Sequence, residues 1–140
     1  MKKSLIILIL LVLSGIFLTE NKIHANIPNP YEMWQQRSIK IGLASWYSKT
    51  DPGILKHTAN MEIFDDTELT AAMWDVAFNQ KIKVTNLENG LSVIVRVNDR
   101  GPHRRLVRQG RIIDLSKQAF LTIASLDKGL IDIQLEFLRF

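Results

Sequence analysis

A chain of 140 residues has room for one folded domain and little more. Hydrophobic residues make up 46% of it, which supplies a core and excludes wholesale disorder. The absence of cysteine excludes a disulfide framework, a thiol nucleophile, thiolate-bound zinc and a cysteine-linked lipid anchor.

Lys2 and Lys3 precede an almost unbroken apolar run from Leu5 to Leu18. The run is shorter than the roughly 20 residues that span a bilayer. It reads as the h-region of a secretory signal peptide over residues 1–25, with cleavage after Ala25 of Ile23-His24-Ala25. A protein exported to the periplasm or cell envelope is the expectation, and an uncleaved N-terminal anchor is the alternative. Loss of this segment removes Lys2, Lys3, Lys22 and Glu20 and lowers the net charge from +4 to +2. So small a surplus makes no case for nucleic acid as a partner.

Residues 26–38 contain Pro28 and Pro30 and read as a linker or arm. Residues 39–140 then form one domain. Strands are predicted over residues 39–47, which begin with alternation and then carry aromatics, over 81–87 and 131–137, where polar and apolar residues alternate, and over 91–97 as the return strand of a hairpin. Asn89-Gly90 between the middle two predicts a tight hairpin with both turn residues at positive φ. Leu69 to Trp74 reads as a short helical turn, with Thr70 near its start. A longer helix is predicted after Asp114 or Ser116 as cap, with Leu115, Ala119, Phe120 and Ile123 on its apolar stripe and Gly129 stopping the segment. The basic run from His103 to Arg108 reads as a solvated loop, with contact to an anionic polymer as its functional alternative. Short strands with one clear helix point to a small closed β-barrel.

Several segments in fixed order carry more information than this periodicity. They are Gly42-Leu43-Ala44-Ser45-Trp46-Tyr47, Thr58-Ala59-Asn60-Met61-Glu62-Ile63-Phe64, Leu69-Thr70-Ala71-Ala72, Val95-Arg96-Val97-Asn98-Asp99-Arg100-Gly101-Pro102 and Gly110-Arg111-Ile112-Ile113-Asp114-Leu115-Ser116. In combination and order they resemble the rare lipoprotein A (RlpA) family. The resemblance implies a mainly β fold, a six-stranded double-psi β-barrel with one or two short helices. It implies a lyase, an endolytic lytic transglycosylase acting on peptidoglycan glycan strands without cofactor or metal. Such an enzyme cuts between N-acetylmuramic acid and N-acetylglucosamine and leaves 1,6-anhydromuramic ends. The chain departs from the family pattern at four places. Ser48 and Met61 stand where glycine is usual, Met73 stands for histidine, and Val76-Ala77-Phe78-Asn79 stands for Leu-Pro-Phe-Gly.

Breaking a glycosidic bond requires an acid on the leaving oxygen and stabilisation of an oxocarbenium-like transition state. In a transglycosylase the sugar's own C6 hydroxyl attacks, so one carboxyl can give a proton and then take one back. By residue type Asp99 fits a turn cap or a partner of Arg100. The resemblance makes it the first catalytic candidate and Glu62 the second, a pair that would divide acid and base work. A close Arg100 or Arg111 would lower the proton affinity of Asp99. Trp46, Tyr47, Asn60, Asn98 and Arg100 are the candidate substrate contacts, with Trp74 and Ser45 behind them. Trp46 and Tyr47 are adjacent on a strand and face opposite sides. Met73 can neither shuttle a proton nor hydrogen-bond a sugar as histidine could, and His57 is the conceivable substitute. A non-catalytic, expansin-like glycan-binding module is the alternative that Met73 favours. A glycoside hydrolase of the same fold is a third.

Overall fold

Valine and isoleucine at every second position build this domain. The computed structural model describes residues 39–138, so the predicted signal peptide and arm lie outside the described residues. The strands are β1 (Ile39–Tyr47), β2 (Thr70–Ala72), β3 (Lys81–Asn86), β4 (Ser92–Asp99), β5 (Arg111–Ser116) and β6 (Leu130–Phe137). Two helices, α1 (Arg104–Val107) and α2 (Lys117–Ile123), and a 3-10 turn at Leu126–Lys128 complete the elements. The strands close into a barrel in the order β1-β5-β2-β4-β3-β6. This is the six-stranded barrel expected from the sequence.

Ile82 and Val84 of β3, Val93, Val95 and Val97 of β4, and Ile131, Ile133 and Leu135 of β6 all point inward. Ala119, Phe120 and Ile123 of α2 join the same core. Each such large side chain contributes about 1.5–3 kcal/mol of hydrophobic stabilisation. Asn86, 1% exposed, is a polar brace within this core. Its Nδ2 and that of Asn89 both donate to the Ile123 carbonyl, at 2.9 and 3.0 Å, and so satisfy an acceptor at the end of α2.

Three local expectations are corrected. Thr70–Ala72 is a strand, not a helical turn; it is wedged between β4 and β5, and both neighbours supply its hydrogen-bond partners. In the β3–β4 connection Gly90 takes a positive φ of 74° and Asn89 does not, because the Asn89 side chain is engaged with Ile123 and with the Leu91 N–H. The basic run contains a helical turn, α1, whose cap is the His103 side chain accepting from the Arg105 N–H.

Two of the strand pairs are parallel, β1 with β5 and β2 with β4, and each carries one register shift. In the second pair Ala71 lies opposite Val97 but Ala72 lies opposite Asp99. Such an irregularity re-aims the side chains that follow it. Here it leaves Asn98 buried and brings Asp99 to the barrel rim.

Ser116, not Asp114, caps α2, accepting from the Ala119 N–H at 3.3 Å. The same hydroxyl donates to the Glu68 carbonyl at 2.5 Å and ties the approach to β2 against β5. Ser116→Ala removes the cap and leaves the buried Ala119 N–H without its acceptor. It is expected to lower stability by about 2 kcal/mol in urea unfolding, with an unchanged m-value.

Candidate functional site

β4 ends at Asp99, and its carboxyl is fixed by backbone. Asp99 Oδ1 accepts from the Ala59 N–H at 2.9 Å and from the Arg100 N–H at 2.7 Å. The turn-cap geometry expected of an aspartate is therefore present, but it occupies one oxygen; Oδ2 has no hydrogen-bond donor among the described residues. The Arg100 guanidinium points away from this carboxyl. Its Nη1 donates to the Met73 carbonyl at 3.1 Å, and the group lies 3.7 Å above the Phe78 ring. Arg111 approaches Asp114 instead, with Nε at 3.2 Å from Oδ1 but not aligned as a hydrogen bond.

Asp114 is the residue that sequence reasoning missed. It sits in β5 opposite Ala72, and Asp99 lies opposite the same alanine on the other side. Ser45 Oγ donates to Asp114 Oδ1 at 2.6 Å. Burial holds the Asp114 carboxyl above the ordinary aspartate range and the charge of Asp99 adds to this, while Ser45 and Arg111 pull the other way. Gly101 makes the close approach possible. A β-carbon there would stand 3.1 Å from Ala72 Cβ and 3.4 Å from Asp114 Oδ2. Two carboxyls thus flank one alanine at the rim.

Glu62 does not join this pair. Arg96 grips it from both oxygens, Nη1 to Oε1 at 2.8 Å and Nη2 to Oε2 at 2.9 Å, and Asn98 Nδ2 adds a bond to Oε2 at 3.1 Å. The Arg96 hydrogen bonds, then that of Asn98, lower its pKa from the ordinary 4.5 to about 2. Glu62 is an anion throughout the working range and has no proton to give. It anchors the loop whose Ala59 N–H holds Asp99. Asn60 braces that loop: its Oδ1 accepts from Thr58 Oγ1 at 2.6 Å and from the Glu62 N–H at 3.2 Å. Asn98 is 2% exposed and acts from inside. Met61, where glycine is usual, holds a φ of 73° in this loop, and Asn79 holds 67° where the usual segment ends in glycine. Ser48 has no such requirement and is buried at 3% exposure, with its hydroxyl 2.7 Å from that of Thr50.

A groove of about 520 Å³ opens beside Asp99, walled by residues 55–59, Met61 and Arg100. A second hollow of about 350 Å³ shares Leu55 and Lys56 with it and extends past Ile54, Ile63 and Phe64. His57 lies in the first groove with Asp99, whereas Met73 is 1% exposed in the core. The wall of the first groove carries no tryptophan, tyrosine or phenylalanine. Tyr47 is 8% exposed and stacks on Phe64 with centroids 4.6 Å apart. Trp46 packs against the main core and donates to the Leu126 carbonyl at 3.2 Å. Trp74 donates to the Pro102 carbonyl at 2.6 Å beneath Arg104. The three rings are thus engaged with protein. Among the described residues no group of three or more histidine, cysteine, aspartate or glutamate side chains is arranged to hold a metal ion.

The Glu62 charge stabilises the fold fully above the ordinary value of 4.5, and that contribution is lost as the pH falls through about 2. Its side chain is 40% exposed, so solvent keeps the contribution to about 1 kcal/mol or less. Glu62→Gln is expected to be less stable than the parent above pH 4.5, with the difference closing as both are titrated towards pH 2. Chemical unfolding across that range checks this.

The family model described as lytic transglycolase matches residues 39–135. A probable endolytic peptidoglycan transglycosylase RlpA of Synechocystis is 43% identical over 103 residues, 74% of this chain and 30% of the relative. The endolytic peptidoglycan transglycosylase RlpA of Vibrio cholerae is 44% identical over 95 residues, 68% of this chain and 34% of the relative. The chain spans about a third of the length of these curated relatives. Among solved structures, a Streptomyces papain inhibitor superposes with a TM-score of 0.56 at 24% identity, over 72% of this chain and 94% of the other. A Clavibacter michiganensis expansin in complex with cellohexaose gives 0.55 at 21%, over 72% and 50%. These two structures share the fold. With the family match covering all but the last two residues of the barrel, the chain belongs to the lytic transglycolase family of double-psi β-barrel domains.

Proposed function

We propose that this domain is an endolytic peptidoglycan lytic transglycosylase, a lyase of the cell envelope that leaves 1,6-anhydromuramic ends. The observation that carries the reading is the pair of carboxyl-bearing residues Asp99 and Asp114 around Ala72, one member open to a groove and the other largely enclosed, its side chain 16% exposed. Burial, and to a lesser extent the Asp99 charge, raises the proton affinity of Asp114 above that of an isolated aspartate. The relatives' names support the chemical class.

Asp99 faces the groove and is the member that meets the glycosidic oxygen. In the first half-reaction the pair gives its proton to that oxygen as the C1–O bond breaks. In the second, the C6 hydroxyl of the same sugar attacks C1 and its proton returns to Asp99. No water is consumed, and the nucleophile is already tethered, so positioning supplies much of the rate. Glu62 is a positioning residue, since its clamp by Arg96 and Asn98 fixes the loop that aims Asp99. Arg100 and His57 line the groove as candidate sugar contacts. Asn60 and Asn98 act from behind it through the Glu62 loop.

An expansin-like binding module is the second reading. It is favoured by Met73, buried where the family pattern has histidine, and by the cellohexaose-bound expansin that shares the fold. Digestion of purified sacculi separates the two. Wild-type protein is expected to release 1,6-anhydro-muropeptides by mass spectrometry, and Asp99→Asn to release them about 10²–10⁴-fold more slowly. Binding without soluble product at any protein concentration would select the module, and undiminished product from Asp99→Asn would remove Asp99 from the chemistry.

A further inference from the structure

Tyr47 closes β1 with its ring flat on Phe64, at an interplanar angle of 2°. These two residues and Ala72 form a small core of their own. Ala72 is the alanine that Asp99 and Asp114 flank. The Tyr47 hydroxyl is buried there and makes no hydrogen bond. An unpaired buried hydroxyl weakens a fold, and phenylalanine would make the same stack without it. Asp99 from β4 and Asp114 from β5 act on this hydroxyl electrostatically, with Arg111 beside Asp114. Both carboxylates, after burial, push the phenol's own ionisation upward, so it stays an O–H donor and never an anion. Oδ2 of Asp99 and Oδ2 of Asp114 are both without a hydrogen-bond donor among the described residues.

We propose that Tyr47 is a positioning residue whose hydroxyl, unpaired in the resting domain, donates to the Asp99–Asp114 pair once the pair has given up its proton. The inference rests on the transglycosylase reading. When the proton passes to the glycosidic oxygen, two negative charges are left across Ala72. Tyr47 then hydrogen-bonds a carboxylate oxygen without transferring its own proton. The bond loosens when the C6 hydroxyl proton returns. The hydroxyl thus destabilises the resting state and stabilises the state in which charge has developed, which is how a preorganised donor accelerates a reaction.

The test is Tyr47→Phe in the full chain, digesting sacculus-derived glycan strands beside wild type and Asp99→Asn. Tyr47→Phe is expected to raise the Tm by about 2 °C. It is expected to lower kcat by about 10²-fold with little change in KM. The alkaline limb of its kcat profile is expected to move to higher pH, because a donor to the charged form lowers the pair's proton affinity and its removal raises it. An alkaline limb that stays in place, a wild-type kcat, or a Tm that falls together with kcat would each overturn the role. If Asp99→Asn is inactive while Tyr47→Phe matches wild type, the Tyr47 role alone fails. If wild type forms no anhydro product, the transglycosylase reading fails and takes this inference with it.

Discussion

Ala72 is 4% exposed and has a carboxyl-bearing residue on each side, Asp99 across the parallel pair with β4 and Asp114 across the antiparallel pair with β5. The strand that carries it is only three residues long and fully buried. Barrel closure cannot be completed without it, and closing the barrel sets one carboxyl-bearing residue on each side of it. A larger side chain at Ala72 would meet Gly101, and a side chain at Gly101 would crowd Ala72 and Asp114. The smallness of these two residues is therefore a condition of the site. The proton affinity of Asp114, raised by burial and by Asp99, follows from that placement.

A second layer secures the first. The Arg96–Glu62 pair joins β4 to the loop after β1, and Asn98, turned inward by the register shift, reinforces it. This pair is half-exposed and contributes little to global stability. Its consequence is geometric, since Ala59 in the same loop supplies the N–H that orients Asp99. The loop also tolerates a methionine at positive φ and presents Leu55, Met61 and Ile63 to solvent along the groove.

The strands β3, β4 and β6 were legible because each alternates over six residues and one face is buried, and β1 through its opening alternation and the aromatics that follow. β2 was read as helix because three buried residues carry no period. β5 was recognised only as a motif, since Ile112-Ile113 interrupts its alternation and both of its charged residues are engaged at the rim. Asp99 was legible through the order of its flanking segments. Asp114 was not, because aspartate and serine two residues apart before a helix both suit a cap, and only the structure shows that Ser116 takes that place. Tyr47 and Trp46 were read as sugar contacts from residue type; their burial became visible only once Phe64 and Leu126 were brought against them. The bond between Arg96 and Glu62 spans 34 residues and leaves no periodic trace.

The coupling of the two carboxyls across Ala72 is the claim on which the mechanism stands. Carbon-detected NMR titration of the Asp114 side-chain carboxyl, in wild type and in Asp99→Asn, tests it most directly. The midpoint is predicted to lie above the ordinary aspartate value in wild type and to fall when the Asp99 charge is removed. A midpoint within the ordinary range, or one that ignores the Asp99 substitution, would contradict the account.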